Sequence, residues 1–327
     1  MHRRHLFGLA AGALAAPAAA QAPSPTAWPG TWPDRPIRLI VPFPAGGATD
    51  LWARMTAEAM AGPLGQPVLI ENRSGAGGMV GTEAAAKAPP DGQTLLFTIT
   101  THVQSPVVFR RWPYQLADFA PIGRLGTSPL PFCVRPEVPA ASIAEFVAWA
   151  RGRDLSFGSY AAGSTGHAMA QLLADRDGLG MTHVAYRGEA PMLTDLLGGR
   201  IACGFHSMTA AGDFIRAGRL RALAGLGRTR IPSLPQVPTF VELGYPDAFA
   251  FAGFIGLLAP ARVPPPILAR LVETFRGAMA DPGLRRRLLE MDTLPGYFGP
   301  AEFGEDIVRV LGEWTELATL MNLTVEG

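Results

Sequence analysis

Lysine is almost absent from this chain. Of its 327 residues, 28 are lysine or arginine, and the one lysine is Lys87. A phosphate-binding P-loop contains Gly-Lys followed by Ser or Thr, whereas Lys87 stands between two alanines, so that kind of nucleotide site is excluded. A Schiff-base enzyme would have to use the same lysine, which precedes two prolines in a predicted surface loop. We therefore set both chemistries aside.

Cysteine is also scarce, and the charges form no block of one sign. Cys133 and Cys203 lie in apolar, strand-like runs, and we expect two separate buried thiols rather than a disulfide. The 28 basic residues nearly cancel the 27 acidic ones, which leaves no electrostatic footprint for nucleic acid. The histidines show no spacing typical of a zinc site, so we expect neither a metal nor a cofactor.

Beyond residue 22 the chain lacks any apolar run long enough to span a bilayer, which takes about 20 residues. The first twenty residues combine a basic start, a short apolar run and three alanines before Gln21, which is the order of a secretory signal peptide. We expect residues 1–20 to direct export, by the general or the twin-arginine route, and residues 21–35 to form a proline-rich leader. A buried N-terminal helix is the alternative interpretation.

Short apolar runs alternate with helix-forming segments along the rest of the chain. Runs such as residues 37–41, 68–71 and 94–98 have the length and composition of strands, and Gly- or Pro-rich turns lead from them into helices. This alternation is typical of βαβ units and predicts mainly parallel sheets. The strands are too many for one small sheet, so the predicted fold class is α/β, with two doubly wound domains joined by a hinge and a ligand cleft between them.

The second domain is predicted to be an insertion in the first. Domain 1 would comprise residues 36–126 and 250–327, and domain 2 would comprise residues 127–249.

Three loops rich in glycine and hydroxyl groups stand directly before predicted helices, at residues 46–49, 74–78 and 159–165. In such folds ligands lie at the carboxyl ends of the strands. Uncovered N–H groups and the positive end of a helix attract anions, with about 0.3–1 kcal/mol from each helix end. One basic residue, Arg73, adjoins these loops, so a carboxylate held by neutral donors fits better than a polyphosphate.

A series of motifs follows in fixed order from residue 32 onward. They are WPDRPIR at 32–38, VPFPAGGATD at 41–50, ENRSGAGG at 71–78, PDGQTL at 90–95, STGH at 164–167, YRGEAP at 186–191, DLLGG at 195–199, LRALA at 220–224, VPTFVELG at 237–244 and AP at 259–260. Together they closely resemble the periplasmic solute-binding receptors of tripartite tricarboxylate transporters, often called the Bug family.

This resemblance implies a monomeric periplasmic receptor with a type II binding-protein fold that closes on a small organic acid and delivers it to membrane permease subunits. In that family two loops, one from each domain, hold a carboxylate largely through main-chain N–H groups, hydroxyls and waters. The residues it indicates are Phe43, Ala45, Gly46, Gly47, Thr49 and Asp50 in domain 1, and Ser159, Ser164, Thr165, His167, Tyr186, Gly188 and His206 in domain 2. Phe43 would form an apolar wall, and Asp50 is expected to act more as the first-turn acid of its helix.

Two positions depart from the family pattern. Many members have an aspartate where this chain has His206, which either pairs with the second carboxylate of a dicarboxylate or fills the wall of the cleft. Tyr160 replaces a small or polar residue and would narrow the pocket or hydrogen-bond the ligand. Arg187 is interpreted as a structural ion-pair partner.

Two other functions are open to this sequence. Ser164, His167 and Asp50 are the residue types of an acyl-transfer triad, but the chain has no Gly-x-Ser-x-Gly elbow, so a secreted hydrolase is the weaker alternative. An exported sensor subunit that reports a ligand to a membrane kinase is the second alternative.

Overall fold

The computed structural model describes residues 32–325, so the predicted signal peptide lies outside the described residues. The strands are, in chain order, β1 (Ile37–Val41), β2 (Val68–Asn72), β3 (Thr94–Ile99), β4 (Phe119–Thr127), β5 (Pro131–Val134), β6 (Leu155–Ser159), β7 (Met181–Ala185), β8 (Cys203–Phe205), β9 (Arg221–Gly225), β10 (Ile255–Pro260) and β11 (Leu294–Phe298).

The α-helices fill the intervals between the strands. They are α1 (Ala48–Leu64), α2 (Met79–Ala86), α3 (Thr101–Val108), α4 (Ile143–Ala150), α5 (Thr165–Asp177), α6 (Glu189–Leu197), α7 (Met208–Arg216), α8 (Pro265–Ala280), α9 (Pro282–Glu290) and α10 (Pro300–Leu320). No helix within residues 32–325 combines the length and the apolarity that crossing a membrane would require.

Two sheets divide these elements into two lobes. Lobe 1 contains the six-stranded sheet β11-β4-β10-β3-β1-β2 with α1–α3 and α8–α10, and lobe 2 contains the five-stranded sheet β7-β6-β8-β5-β9 with α4–α7. The chain passes to lobe 2 between β4 and β5 and returns between β9 and β10. The exact residues at which one domain gives way to the other stay a prediction.

Both sheets are mixed, so the expectation of mainly parallel sheets was wrong. β1 pairs in parallel with β2 and β3, and β6 with β7 and β8, as βαβ units require. β10 and β5 instead run antiparallel to their neighbours in the two sheets. The reason is topological. β5 and β10 each begin at the side of their sheet that faces the other lobe, because the chain enters from there, whereas the strands of the βαβ units end at that same side.

Several helix starts follow the local signals in the sequence. Ser142 is the N-cap of α4, and its side chain accepts a hydrogen bond from the backbone N–H of Glu145. The helices that begin at Pro282 and Pro300 carry proline in their first turn, where its missing N–H costs nothing.

The buried hydrophobic residues form one cluster within lobe 1, two within lobe 2 and a larger cluster that extends across both lobes. Ile40 and Leu96 of lobe 1 belong to the same continuous cluster as Phe132 and Phe157 of lobe 2. The two lobes therefore pack on each other over apolar surface.

Cys133 and Cys203 are both free and buried, which confirms the expectation of separate thiols. In the ladder between β5 and β8, Cys133 stands opposite Gly204 and Cys203 stands opposite Val134. Because successive side chains in a strand point to opposite faces, the two thiols lie on opposite faces of the sheet.

Candidate functional site

A cavity lies between the lobes, at the edge where the parallel strands end and α1, α5 and α6 begin. Its water-accessible volume is about 70 Å³, whereas one water molecule needs about 10–15 Å³ by the same measure. It is lined by Phe43, Pro44, Gly47, Ala48, Thr49, Trp52, Ile99, Thr100 and Ile255 of lobe 1, by Tyr160, Thr165, Glu189 and Ser207 of lobe 2, and by Ser128, Leu130, Gly253 and Phe254 of the connecting segments.

The amino-terminal end of α1 opens into this cavity without a cap. Gly47 is the N-cap residue and supplies no side chain, and Gly46 before it adopts a φ of +81°, which glycine tolerates without strain. The first N–H groups of a helix have no intrahelical partner. Since Gly47, Ala48 and Thr49 line the cavity, these donors are available to a ligand.

Asp50 holds the loop before α1 in shape. Its carboxylate accepts hydrogen bonds from the Gly46 N–H (3.0 Å), from Asn72 Nδ2 (2.9 Å) and from Arg54 Nε (2.9 Å). Burial works to raise the pKa of Asp50, but the hydrogen bonds from Arg54, Gly46 and Asn72 outweigh it and lower that pKa. Asp50 is therefore bound to other residues of lobe 1, and it does not line the cavity.

The loop before α5 is held by its own side chains. Ser164 Oγ accepts from the His167 N–H (3.4 Å), and the Gly163 N–H donates to His167 Nδ1 (3.0 Å). The imidazole of His167 stacks on that of His183, with ring centroids 3.6 Å apart, and His183 Nε2 lies 2.7 Å from Ser159 Oγ. Burial lowers the pKa of His167 to about 4, so this stack is neutral at physiological pH. Ser159, Ser164 and His167 thus support the loop, and none of them lines the cavity.

Thr165, the first residue of α5, lines the cavity and also joins the lobes. Its Oγ1 accepts a hydrogen bond of 2.8 Å from Gln104 Nε2, which belongs to α3 of lobe 1. Close by, a Cβ on Gly163 would lie 2.3 Å from Cγ2 of Val108, also in α3. The lobes are in direct contact here, which is a closed arrangement.

Four predicted residues, Tyr186, Gly188, Ala45 and Gly46, do not line the cavity. Tyr186 donates its hydroxyl to Asp195 Oδ2 (2.8 Å), which turns its polar end to α6. Gly188 packs so tightly on lobe 1 that a Cβ there would lie 2.6 Å from Cδ of Pro44. Ala45 and Gly46 are exposed beside this contact.

An acid that the sequence-based site does not include lines the cavity. Glu189, the first residue of α6, accepts hydrogen bonds from the backbone N–H of Ser207 and from Ser207 Oγ (2.8 Å). Burial raises the pKa of Glu189 to about 7, against the opposing effect of these two bonds. An acidic residue at the start of a helix is a common local feature, so the sequence alone does not mark Glu189 as part of the site.

His206 lies behind Glu189 rather than in the cavity. It is fully buried, its Nδ1 is 3.8 Å from Glu189 Oε1, and neither ring nitrogen has a hydrogen-bond partner within the described residues. Burial lowers its pKa to about 3. Tyr160, in contrast, does line the cavity, and burial raises the pKa of its hydroxyl to about 12.

Of the predicted site residues, the structure thus brings Phe43, Gly47, Thr49 and Thr165 into the wall of the cavity. In the described part of the chain, no three His, Cys, Asp or Glu side chains are grouped as metal ligands would be.

Comparison with known proteins gives a consistent result. The family model described as "Tripartite tricarboxylate transporter family receptor" matches residues 52–302. Protein BugT of Bordetella pertussis is 38% identical over 249 residues, which cover 74% of this chain and 75% of that protein.

Solved structures agree in fold and confirm the predicted fold class. A Rhodopseudomonas palustris protein determined with adipate has a TM-score of 0.85 at 32% identity and covers 90% of this chain and 99% of its own. MatC of the same organism, with bound malate, has a TM-score of 0.81 at 29% identity and covers 88% of this chain and 99% of its own. The chain belongs to the family of periplasmic solute-binding receptors of tripartite tricarboxylate transporters.

Proposed function

We propose that this protein is exported through residues 1–20, captures a small organic acid in the cavity between its lobes, and delivers it as a monomer to the permease subunits of a tripartite tricarboxylate-type transporter. The observation that carries this proposal is the uncapped end of α1, which opens into the cavity between the lobes. None of the residues lining the cavity is Lys or Arg, so neutral donors would have to hold the anion.

The ligand carboxylate would lie against the first turn of α1. The N–H groups of Ala48 and Thr49, the hydroxyl of Thr49 and, from the facing lobe, the hydroxyl of Thr165 are its donors. A hydrogen bond to a charged group contributes about 1.5–3 kcal/mol, and exclusion of water on closure strengthens it. Phe43 and Trp52 supply apolar walls for the carbon chain.

The remaining predicted residues are proposed to shape the site rather than to touch the acid. Domain 1 (residues 36–126 and 250–327) and domain 2 (residues 127–249) would close about the two connecting segments. Within them, Ala45, Gly46, Asp50, Ser159, Ser164, His167, Tyr186, Gly188 and His206 form and support the facing loops.

We propose that the ligand is a dicarboxylate. The two solved relatives compared above contain adipate and malate, both of which carry two carboxylates. Acyl transfer is disfavoured because the three side chains of the triad type are not hydrogen-bonded to one another. Ser164 caps α5, and His167 Nδ1 accepts from a backbone N–H. Asp50 lies in lobe 1, where it binds Arg54. The protein is therefore proposed to bind without turnover.

A thermal-shift screen of mono-, di- and tricarboxylic acids tests this function. A ligand at a hundred times its dissociation constant stabilises the folded form by about 2.7 kcal/mol, which corresponds to a rise in Tm of roughly 5 °C for a chain of this size. Dimethyl esters of the same acids are the matched controls, since they keep the carbon chain and lose the charge. Turnover of the esters, or equal shifts from ester and acid, would contradict the proposal.

A further inference from the structure

An acidic side chain occupies a cavity proposed to receive an anion. The side chain of Glu189 is 10% exposed and lines the cavity, and no Lys or Arg lines it with Glu189. An ionised Glu189 beside a bound carboxylate would place two like charges close together in a dry site, and their repulsion would oppose binding. The arrangement needs a compensating charge or a proton.

The hydrogen bonds of Glu189 fix its carboxyl group in place. Ser207 Oγ accepts from the Ala210 N–H (3.2 Å), so its own proton is directed to Glu189 Oε2 at 2.8 Å. The backbone N–H of Ser207 donates to Oε1. Each carboxyl oxygen can form a second hydrogen bond, and because Glu189 lines the cavity, a ligand bound there can supply it.

The titratable groups around Glu189 supply no positive charge. His206, in the loop before α7, lies 3.8 Å away and has its pKa lowered to about 3 by burial. Tyr160, in the loop before α5, and Cys133, on β5, have pKa values raised by burial, so both are neutral. The amino ends of α6 and α7 favour the ionised carboxylate, but burial outweighs them and raises the pKa of Glu189 to about 7.

Building on the proposed function, we propose that Glu189 determines specificity by binding the acid with one proton: its carboxyl O–H donates to the second carboxylate of a dicarboxylate whose first carboxylate lies against α1. Two carboxyl groups that share a site share a single proton, because both cannot be ionised at close range. The proton comes from solvent on binding and stays between Glu189 and the ligand until the lobes open.

Proton uptake on binding determines how the affinity changes with pH. A bound anion raises the pKa of Glu189 further, so the complex holds one proton more than the free protein wherever free Glu189 is ionised. For a free pKa of about 7, Kd is expected to rise about tenfold from pH 6 to pH 8. The ligand is bound more tightly at the lower pH.

Titration calorimetry with malate and with adipate tests this at pH 6 and pH 8. Running each titration in two buffers of different ionisation enthalpy counts the protons taken up by the wild-type protein, so the test does not depend on any variant folding. We expect uptake close to one proton at pH 8 and little at pH 6. Glu189→Gln should take up no proton on binding, and its Kd should not show the tenfold rise between pH 6 and pH 8 that is expected from Glu189. Glu137→Gln, which changes an exposed acid of the same lobe, should behave as the wild type.

The outcomes separate this inference from the function on which it rests. Binding of either acid with no proton uptake and the same Kd dependence in wild type and Glu189→Gln would overturn the inference and leave the receptor function standing. Tighter binding at pH 8 that is lost in Glu189→Gln would also overturn it, because the ionised form of Glu189 and not the protonated form would then favour binding. Failure of both acids to bind at either pH would contradict the dicarboxylate function itself.

Discussion

Thr49→Asp is expected to weaken acid binding at least a hundredfold while it leaves the fold intact. Thr49 is a buried residue of the first turn of α1 and lines the cavity. A carboxylate there would occupy the N–H groups of the helix end and repel the ligand, and a hundredfold loss corresponds to about 2.8 kcal/mol. An acid in the first turn interacts favourably with the helix dipole. We therefore expect the free energy of unfolding of the unliganded variant to be unchanged or raised by up to about 1 kcal/mol.

Thr49→Asn is the matched control, since it has nearly the same shape as the aspartate variant and no charge. Calorimetry with malate and adipate, together with the Tm of the unliganded variants, separates the two effects. Equal losses of affinity in the two variants would show that shape rather than charge is responsible. Unchanged affinity in Thr49→Asp would show that the acid does not lie at the end of α1.

Gly163→Ala is expected to weaken ligand binding by opening the lobes. Its Cβ would lie 2.3 Å from Cγ2 of Val108 across the cleft, so the closed form must shift or separate. Overpacking costs about 1–3 kcal/mol, which predicts a rise in Kd of roughly 5- to 150-fold. Small-angle scattering with saturating acid should show a larger radius of gyration than for the liganded wild type.

Two further variants isolate the contact between the lobes. Gly178→Ala introduces the same kind of backbone strain, at a φ of +65°, at a site where the new Cβ meets nothing within 4 Å, so it should cost stability and not affinity. Val108→Ala combined with Gly163→Ala removes the clashing methyl and should restore most of the affinity. A Kd that is equally raised in Gly178→Ala and Gly163→Ala would mean that strain within lobe 2, and not closure, is responsible.

The part of the site that local chemistry determines could be predicted from the sequence. The glycines before α1 indicated a turn followed by an uncovered helix end, and the structure has both, because the backbone of a short βα loop depends on its own residues. Ser164 and His167 stand three residues apart at a helix start, which is the spacing of a cap and a first-turn residue, and their hydrogen bonds follow that pattern.

The long strand β4 was not predicted. Pro121, Gly123 and Gly126 interrupt the apolar pattern of Phe119–Thr127 and obscure its strand character. The segment forms a strand because it pairs with β10 on one side and with β11 on the other, although its local strand propensity is low. A Cβ on Gly126 would lie 2.1 Å from the Leu294 carbonyl oxygen, so this glycine serves a close approach between strands that no local rule indicates.

The acid in the cavity was not predictable for a similar reason. Glu189 and its partner Ser207 belong to the starts of two different helices, and each alone resembles an ordinary helix start. Only the tertiary arrangement of α6 and α7 places both at the cavity. The same arrangement moves His206 behind the wall, although its position in the family pattern had suggested a contact with the ligand.

A crystal structure of the protein grown with malate or adipate examines the proposed binding geometry directly. We expect one ligand molecule between the lobes, with a carboxylate oxygen about 2.7–3.1 Å from the backbone nitrogen of Ala48 or Thr49 and the other carboxylate beside Glu189. An acid held by surface arginines outside the cavity, with the end of α1 left to water, would contradict the proposal that this helix end binds the ligand.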